Sequence, residues 1–479
     1  MERKDPMQVA TELFAELIKN DFEFGQVEDK WVPHRWNGQY WQPLLDSKGR
    51  VFSKLQSVWF QFLEFMDRSA SECMILYNAG RKKDDDERAV FGAKRWKVIS
   101  KTTSFSASGG VYQTLMAMEQ CPVRRVQPEE WQNPPHIVQF ENCRYDADTG
   151  VMTKAPDRSL LINRSNGVTL LELVKSDVDR VRDYVRNTMA GPTEFTYFKG
   201  YLGSTLWRGN EQHFALFFTG TGSNGKTMMM NTMSGVYGNE FHTVGAASLT
   251  EQAKTGANPD IYECRFDRMT VFNELNASDR IKADRFKALA DGSTQRVRTL
   301  YQTAMTNVGL SKLCFAVNEL PEFDTWDGGV DRRFMVLPFT NQYKETFEFE
   351  AENPHHRIKD SELEKWLRTP EAIAAFWYFI MDECRDEYLA CGRKLQCTDT
   401  MRAVTSEAKE EQNPIGSWLK RRLVRKPGNN ILLETITDFI RQDCNLPKLL
   451  SRQVCSKLQT EITSRLAWRS IRSRQERPP

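Results

Sequence analysis

Eight consecutive residues constrain this chain more than any other feature. Gly220-Thr221-Gly222-Ser223-Asn224-Gly225-Lys226-Thr227 fills every fixed position of the pattern G-x-x-x-x-G-K-S/T. The glycines let successive backbone N–H groups curl around a phosphate with no Cβ in the way. Lys226 is placed to meet the β- and γ-phosphates of a nucleotide as a point charge, and the Thr227 hydroxyl to ligate Mg²⁺. Such a loop needs a strand before it and a helix after it, because that arrangement aims a helix N-terminus at the anion. The apolar run Phe214-Ala215-Leu216-Phe217-Phe218 supplies the first, and Met228-Met229-Met230-Asn231-Thr232-Met233 the second. ATP as substrate, with Mg²⁺, is the expected ligand.

A phosphate cradle hydrolyses nothing without a carboxylate that orients water. Met269-Thr270-Val271-Phe272-Asn273-Glu274 offers one: a strand-like run ending in Glu274, with Asn273 where many such sites carry a second acid. A third run, Leu313-Cys314-Phe315-Ala316-Val317, ends at Asn318, which could hydrogen-bond the γ-phosphate or the attacking water. Next come Arg332 and Arg333, directly before the apolar run 334–337. An arginine pair so far from the loop fits a finger offered to a neighbouring subunit's nucleotide. Arg333 is preferred for that reach because it abuts the strand that would fix its direction. Alternation of strand-length apolar runs with helical stretches predicts an α/β P-loop core with a mainly parallel sheet.

Composition excludes other classes. Of 479 residues 40% are hydrophobic, with 28 Phe and 12 Trp, enough to build cores. The longest apolar run found, residues 372–381, is too short to cross a bilayer. Behind Met1-Glu2-Arg3-Lys4-Asp5 there is no apolar segment of the secretory type. The 10 cysteines include no C-x-x-C pair, which points to reduced thiols and a cytoplasmic setting. Asp84-Asp85-Asp86-Glu87 sits among Arg81, Lys82, Lys83 and Arg88 and reads as a solvated loop rather than a metal site.

The order phosphate loop, Glu-ended strand, Asn-ended strand, Arg-Arg resembles that of the superfamily III helicases, most closely the poxvirus and bacteriophage primase–helicases. Lys287 with Arg298-Thr299-Leu300-Tyr301, Asn318-Glu319-Leu320-Pro321, and Pro338-Phe339 after the arginine pair are similar to further segments of that family. So are Phe140-Glu141-Asn142, Asp148-Thr149-Gly150 and Ala155-Pro156-Asp157 upstream. The likeness covers roughly residues 135–420. One departure is Asp291-Gly292-Ser293, where the family often has Gly-Gly-Asp. The resemblance implies an AAA+-like ring, a hexamer, tracking 3′ to 5′ on single-stranded and forked DNA. It implies a role in replicating a virus, phage or mobile element, in the host cytoplasm where that applies. It also implies a pore hairpin, for which residues 292–308 are the candidate. There Arg296 and Arg298 fall on one strand face to meet phosphates, Tyr301 can stack on a base, and Gln302 lies beside it. No D-x-D strand signature of a primase occurs in the first 130 residues, so any primase is expected as a separate chain or outside this sequence, and a primase or polymerase as a partner.

These readings divide the chain into a mixed α+β N-terminal domain at 1–135, a linker or collar at 136–195, and the ATPase core at 196–345. A helical extension at 346–412 and a basic, winged-helix-like C-terminal domain at 413–479 follow. From Ser417 onward 14 Lys/Arg stand against 5 Asp/Glu, and two short amphipathic stripes suit DNA binding or assembly. Two rival functions share the phosphate loop: a signalling or defence ATPase, and a DNA-binding scaffold that does not unwind.

Overall fold

The computed structural model describes residues 14–15, 18, 20, 22–27, 30–44, 123–126, 131, 133–220, 222–245, 248–250, 261, 263–273, 280–292, 295–297, 305–308, 312–412 and 422. The chain forms two compact units, Met1–Asp146 with Val151–Ser165, and Ala147–Gly150 with Asn166–Pro479.

The first unit is built from short strands. β1 (Phe22–Val27), β2 (Lys30–Trp36) and β3 (Trp41–Pro43) form an antiparallel run, and β4 (Arg125–Val126) adds in parallel beside β1. Phe22 and Phe24 are buried with Glu23 between them, the alternation a half-buried strand requires. The turn into β3 is held by Asn37, whose side-chain oxygen accepts from the N–H groups of Gln39 and Tyr40, both at 2.9 Å. Ahead of β1, Phe14, Ala15 and Ile18 are helical and buried. A meander follows, of β5 (Ile137–Gln139), β6 (Arg144–Asp146) and β7 (Val151–Thr153). Gly150, at φ +74°, turns the chain back for the third strand.

The second unit opens with α1 (Lys175–Thr188) and α2 (Pro192–Ser204). β8 (Ala215–Thr219) leads through the glycine loop into α3 (Lys226–Tyr237), followed by β9 (Phe241–Gly245) and β10 (Met269–Asn273). Next come β11 (Arg280–Ile281), α4 (Ala283–Ala290) and the antiparallel pair β12 (Gln295–Val297) and β13 (Met305–Val308). β14 (Lys312–Ala316), β15 (Glu322–Phe323), α5 (Gly328–Arg333) and β16 (Phe334–Pro338) complete the centre. A parallel pair, β17 (Gln342–Lys344) and β18 (His356–Ile358), precedes α6 (Ser361–Trp366) and α7 (Pro370–Phe379). A π-helical turn, Ile380–Cys384, joins α7 to α8 (Arg385–Ala390), and α9 (Asp399–Gln412) follows.

The central sheet has the order β16-β8-β14-β10-β9, with every neighbouring pair parallel. A parallel sheet is covered on both faces, so its strands read as near-continuous apolar runs. That is why four of the five coincide with the expected runs to within one residue at each end. Phe217, Phe315 and Phe272 are in register on β8, β14 and β10 and stack, with centroids 4.3 and 5.0 Å apart and planes within 12°. Phe334 of β16 leans on Phe217 at 4.5 Å. Stacked aromatics of this kind stabilise beyond the area they bury, by about 0.5–1.5 kcal/mol per pair.

Charged side chains seal the edge where the strands begin. Arg268, fully buried before β10, donates to Glu240 Oε2 at 2.6 Å and to the carbonyls of Thr205 and Leu206. Lys312, first residue of β14, donates to the Trp207 carbonyl at 3.0 Å and to that of Gly209. Burial pushes the Lys312 ammonium down to about 7. Within the expected helical extension, α7 and α8 run on through the π turn as one continuous helical stretch. The Cys384 carbonyl there lies 1.9 Å from where a Cβ on Gly203 would stand, so α2 and the turn meet backbone to backbone. Among the described residues no helix is long and apolar enough to cross a membrane.

Candidate nucleotide site

In an open parallel sheet, ligands sit beyond the carboxyl ends of the strands, and the glycine loop lies there, between β8 and α3. Three residues hold left-handed or related backbone: Gly220 at φ +153°, Ser223 at +61° and Gly225 at +84°. A Cβ on Gly220 would stand 2.4 Å from the Phe339 carbonyl oxygen, and one on Gly225 would stand 3.0 Å from the Tyr343 ring. Close approach and conformation therefore both call for glycine at these two positions. Two backbone bonds brace the loop: Tyr343 N–H to the Ser223 carbonyl at 2.7 Å, and Phe339 N–H to that of Thr219 at 2.8 Å.

Gly225 is the N-cap of α3 and no side chain caps that helix, so its first N–H groups face the loop. Lys226 is buried, and its ammonium donates to the Gly220 carbonyl at 2.5 Å across the loop. Desolvation lowers its proton affinity. Asn224 is buried too, its side-chain oxygen accepting from the Lys226 N–H at 3.3 Å. Thr227, the expected Mg²⁺ ligand, is exposed at the first turn of α3, beside Ser223 and Gly222, also exposed. Thr221 lies outside the described residues.

Asn318 is exposed just past the end of β14. Ala316 pairs with Phe218, which sets Asn318 level with Gly220 on the adjoining strand. β14 thus separates the loop strand from β10, which ends at Asn273. Glu274 lies outside the described residues, as do Arg298, Tyr301 and Gln302. Arg296 is the middle residue of β12, which pairs antiparallel with β13 as a hairpin requires.

The two arginines part company. Arg332 is exposed at the C-terminal end of α5. Arg333, the one preferred for a reach toward a neighbour, is turned inward: it is 3% exposed and engages Asp291 in bidentate fashion, at 2.7 and 2.6 Å. Its remaining fork nitrogen donates to the Gly329 carbonyl at 2.6 Å. Abutting a strand does fix this side chain's direction, but into the same subunit.

A cavity of about 730 Å³ adjoins the loop, a size ordinary for small-molecule sites. Ser223 to Met228 and Asn231 form one wall; Arg180, Asp183, Tyr184 and Asn187 of α1 form another. The third comes from Tyr343 and residues 345–364, including Arg357, Ile358 and Leu363. The Tyr343 hydroxyl lies 3.2 Å from Thr188 Oγ1, linking the second and third walls. The second and third walls carry no motif, and sequence reasoning missed them.

A family model described as "D5 N terminal like" matches residues 11–207. Primase D5 of Fowlpox virus is 23% identical over 224 residues, which cover 44% of this chain and 28% of that protein. The chain is similar to the D5-type primase–helicases. A protein of Acanthamoeba polyphaga mimivirus, described as a candidate helicase, is 24% identical over 213 residues, covering 43% of this chain and 22% of its own length. The chain thus spans less than a third of the length of these D5-type relatives. Among solved structures, the apo C-terminal region of NrS-1 aligns with 96% of this chain and 87% of its own, at 13% identity and a TM-score of 0.45.

Proposed function

We propose that this chain is the ATP-driven motor of a D5-type replication helicase, with an AAA+-like P-loop core working as a ring on single-stranded DNA. The observation that carries the reading is the shared edge of the sheet. There an uncapped helix N-terminus, the glycine loop with Lys226, and Asn318 on the adjoining strand converge. Donors and cation supply the charge that the β- and γ-phosphates need, and Asn318 stands where it can sense the terminal phosphate. The triphosphate fits a loop in which a Cβ at Gly220 or Gly225 would intrude. The nucleoside has room in the adjoining cavity, along Met228 and Asn231 of α3.

Mg²⁺, held by Thr227 and the phosphates, would neutralise charge on the β- and γ-oxygens. In this reading Glu274 orients the attacking water. Arg332, not Arg333, is the residue free to approach a neighbouring subunit's nucleotide, and Arg296, Arg298, Tyr301 and Gln302 form the DNA hairpin. Relatives named as primase and helicase support a place in viral DNA replication, and direction of travel, subunit number and a separate primase belong to the same proposal.

A strand-displacement assay on a forked duplex tests it. Unwinding should require ATP hydrolysis, and single-stranded DNA should stimulate the ATPase. An ATPase indifferent to DNA, with no strand separation at any ATP concentration, would leave a P-loop switch as the better description.

A further inference from the structure

The Arg333–Asp291 pair stands between two features that the motor reading treats separately. Asp291 is the C-cap of α4, and Gly292, at φ +59°, ends that helix by donating its N–H to the Leu289 carbonyl at 3.1 Å. Residues 293–294 then lead to β12, which carries Arg296. On the other side, Arg333 is the last residue of α5, directly after the exposed Arg332. One buried guanidinium thus ties the foot of the hairpin to the segment that presents Arg332.

The tie is reinforced along its length. Lys287 of α4 pairs with Asp327 at 2.9 Å, and Asp327 caps α5 by accepting from the Val330 N–H at 2.9 Å. A Cβ on Gly329 would stand 2.7 Å from Lys287 Cδ, so the two helices touch closely. The end of α4 is held from the loop strand's side as well. Asn210 donates to the Ala290 carbonyl at 2.7 Å, and His213 Nδ1 lies 2.9 Å from the Asp291 carbonyl, just ahead of β8. Asp291 therefore has its carboxylate on the Arg333 segment and its backbone on the strand that feeds the phosphate loop.

We infer that Arg333 and Asp291 are positioning residues: through their ion pair, the state of the nucleotide contacted by Arg332 is transmitted to the β12–β13 hairpin. A fork-to-carboxylate pair suits this role, because two parallel hydrogen bonds fix orientation as well as distance. It also accounts for the Asp at the head of Asp291-Gly292-Ser293, where the sequence departs from the Gly-Gly-Asp order. The inference rests on the motor reading, and it makes Arg333 a link within one subunit.

Asp291→Asn tests it, since Asn keeps the shape and one acceptor but removes the charge. The purified full chain should still bind ATP and keep basal hydrolysis within about threefold of wild type. The ratio of DNA-stimulated to basal rate should fall at least fivefold, and unwinding with it. Asp291→Glu, which restores the carboxylate, should recover part of the ratio, an effect that loss of fold would not produce. Thermal melting of each variant separates unfolding from uncoupling. A stimulated wild type with an unchanged ratio in Asp291→Asn would overturn the inference alone. So would an equal fall of basal and stimulated rates in both variants. A wild-type ATPase indifferent to single-stranded DNA would overturn the motor reading, and the coupling with it.

Discussion

The two edges of the central sheet use the same kinds of side chain to opposite ends. Where the strands begin, Arg268 and Lys312 are buried and spend their hydrogen bonds on Glu240 and on the carbonyls of residues 205–209. Where the strands end, the α3 N-terminus has no side-chain cap, and Thr227 and Asn318 face outward. Both edges gather positive charge over a sheet that cannot accommodate it, yet only one is closed by the protein itself. The difference supports the proposed site without reference to any motif: structural polar groups are closed internally, whereas donors left unclaimed suit a ligand.

Substitutions at the two edges should therefore fail differently. The largest effect is expected at the open edge: Lys226→Ala should lower ATP hydrolysis by about 10³-fold or more while the melting temperature stays near wild type. A variant that melts early and keeps its hydrolysis would erase the contrast. At the closed edge, Arg268→Met leaves the Glu240 carboxylate buried with, among the described residues, Arg208 at 3.8 Å to answer it. Urea denaturation should report a loss of about 3 kcal/mol, and nucleotide affinity of the folded fraction should be unchanged.

Next in size is a pH effect from Lys312. Its proton affinity is pushed down to about 7 in the folded chain, against 10.5 for an ordinary lysine. Between those values the unfolded chain binds the extra proton, so stability rises with pH across that window, by about 1.4 kcal/mol per unit at most. Below about pH 7 both states are protonated and this contribution to the slope disappears. Denaturation of wild type and Lys312→Met from pH 6.5 to 9 should diverge accordingly; parallel curves would mean that the buried ammonium stays charged. The smallest effect is Gly225→Ala. Left-handed backbone costs a residue with a Cβ about 1–2 kcal/mol, and the Tyr343 ring must yield as well. The variant should therefore melt a few degrees early, and its ATP affinity should drop measurably by calorimetry.

The same contrast explains what the sequence could tell. β8, β10, β14 and β16 were legible because burial on both faces makes each a solid apolar run. β9 was not: Phe241-His242-Thr243-Val244-Gly245 lies at the sheet's edge, where half-exposed positions carry polar residues. The glycine loop between β8 and α3 was legible because its pattern is compressed into eight adjacent residues. The cavity walls of α1 and residues 343–364 were not, since only the fold brings them to the loop. Arg333 shows the limit most clearly. Its place before a strand was plain, but its partner Asp291 lies 42 residues earlier, and no local pattern records the pairing.

The three stacked rings of Phe217, Phe315 and Phe272 have a mechanical consequence. Phe315 is sandwiched at 4.3 and 5.0 Å between its neighbours, so its ring can turn over only when both yield together. The strand leading to the phosphate loop, the strand leading to Asn318 and β10 are thus riveted through their middles into one plate. Little slack is left for Asn318 to drift relative to the loop beside it. In the proposed motor, any rearrangement that accompanies nucleotide turnover must then be carried by what is hinged to the plate's rim.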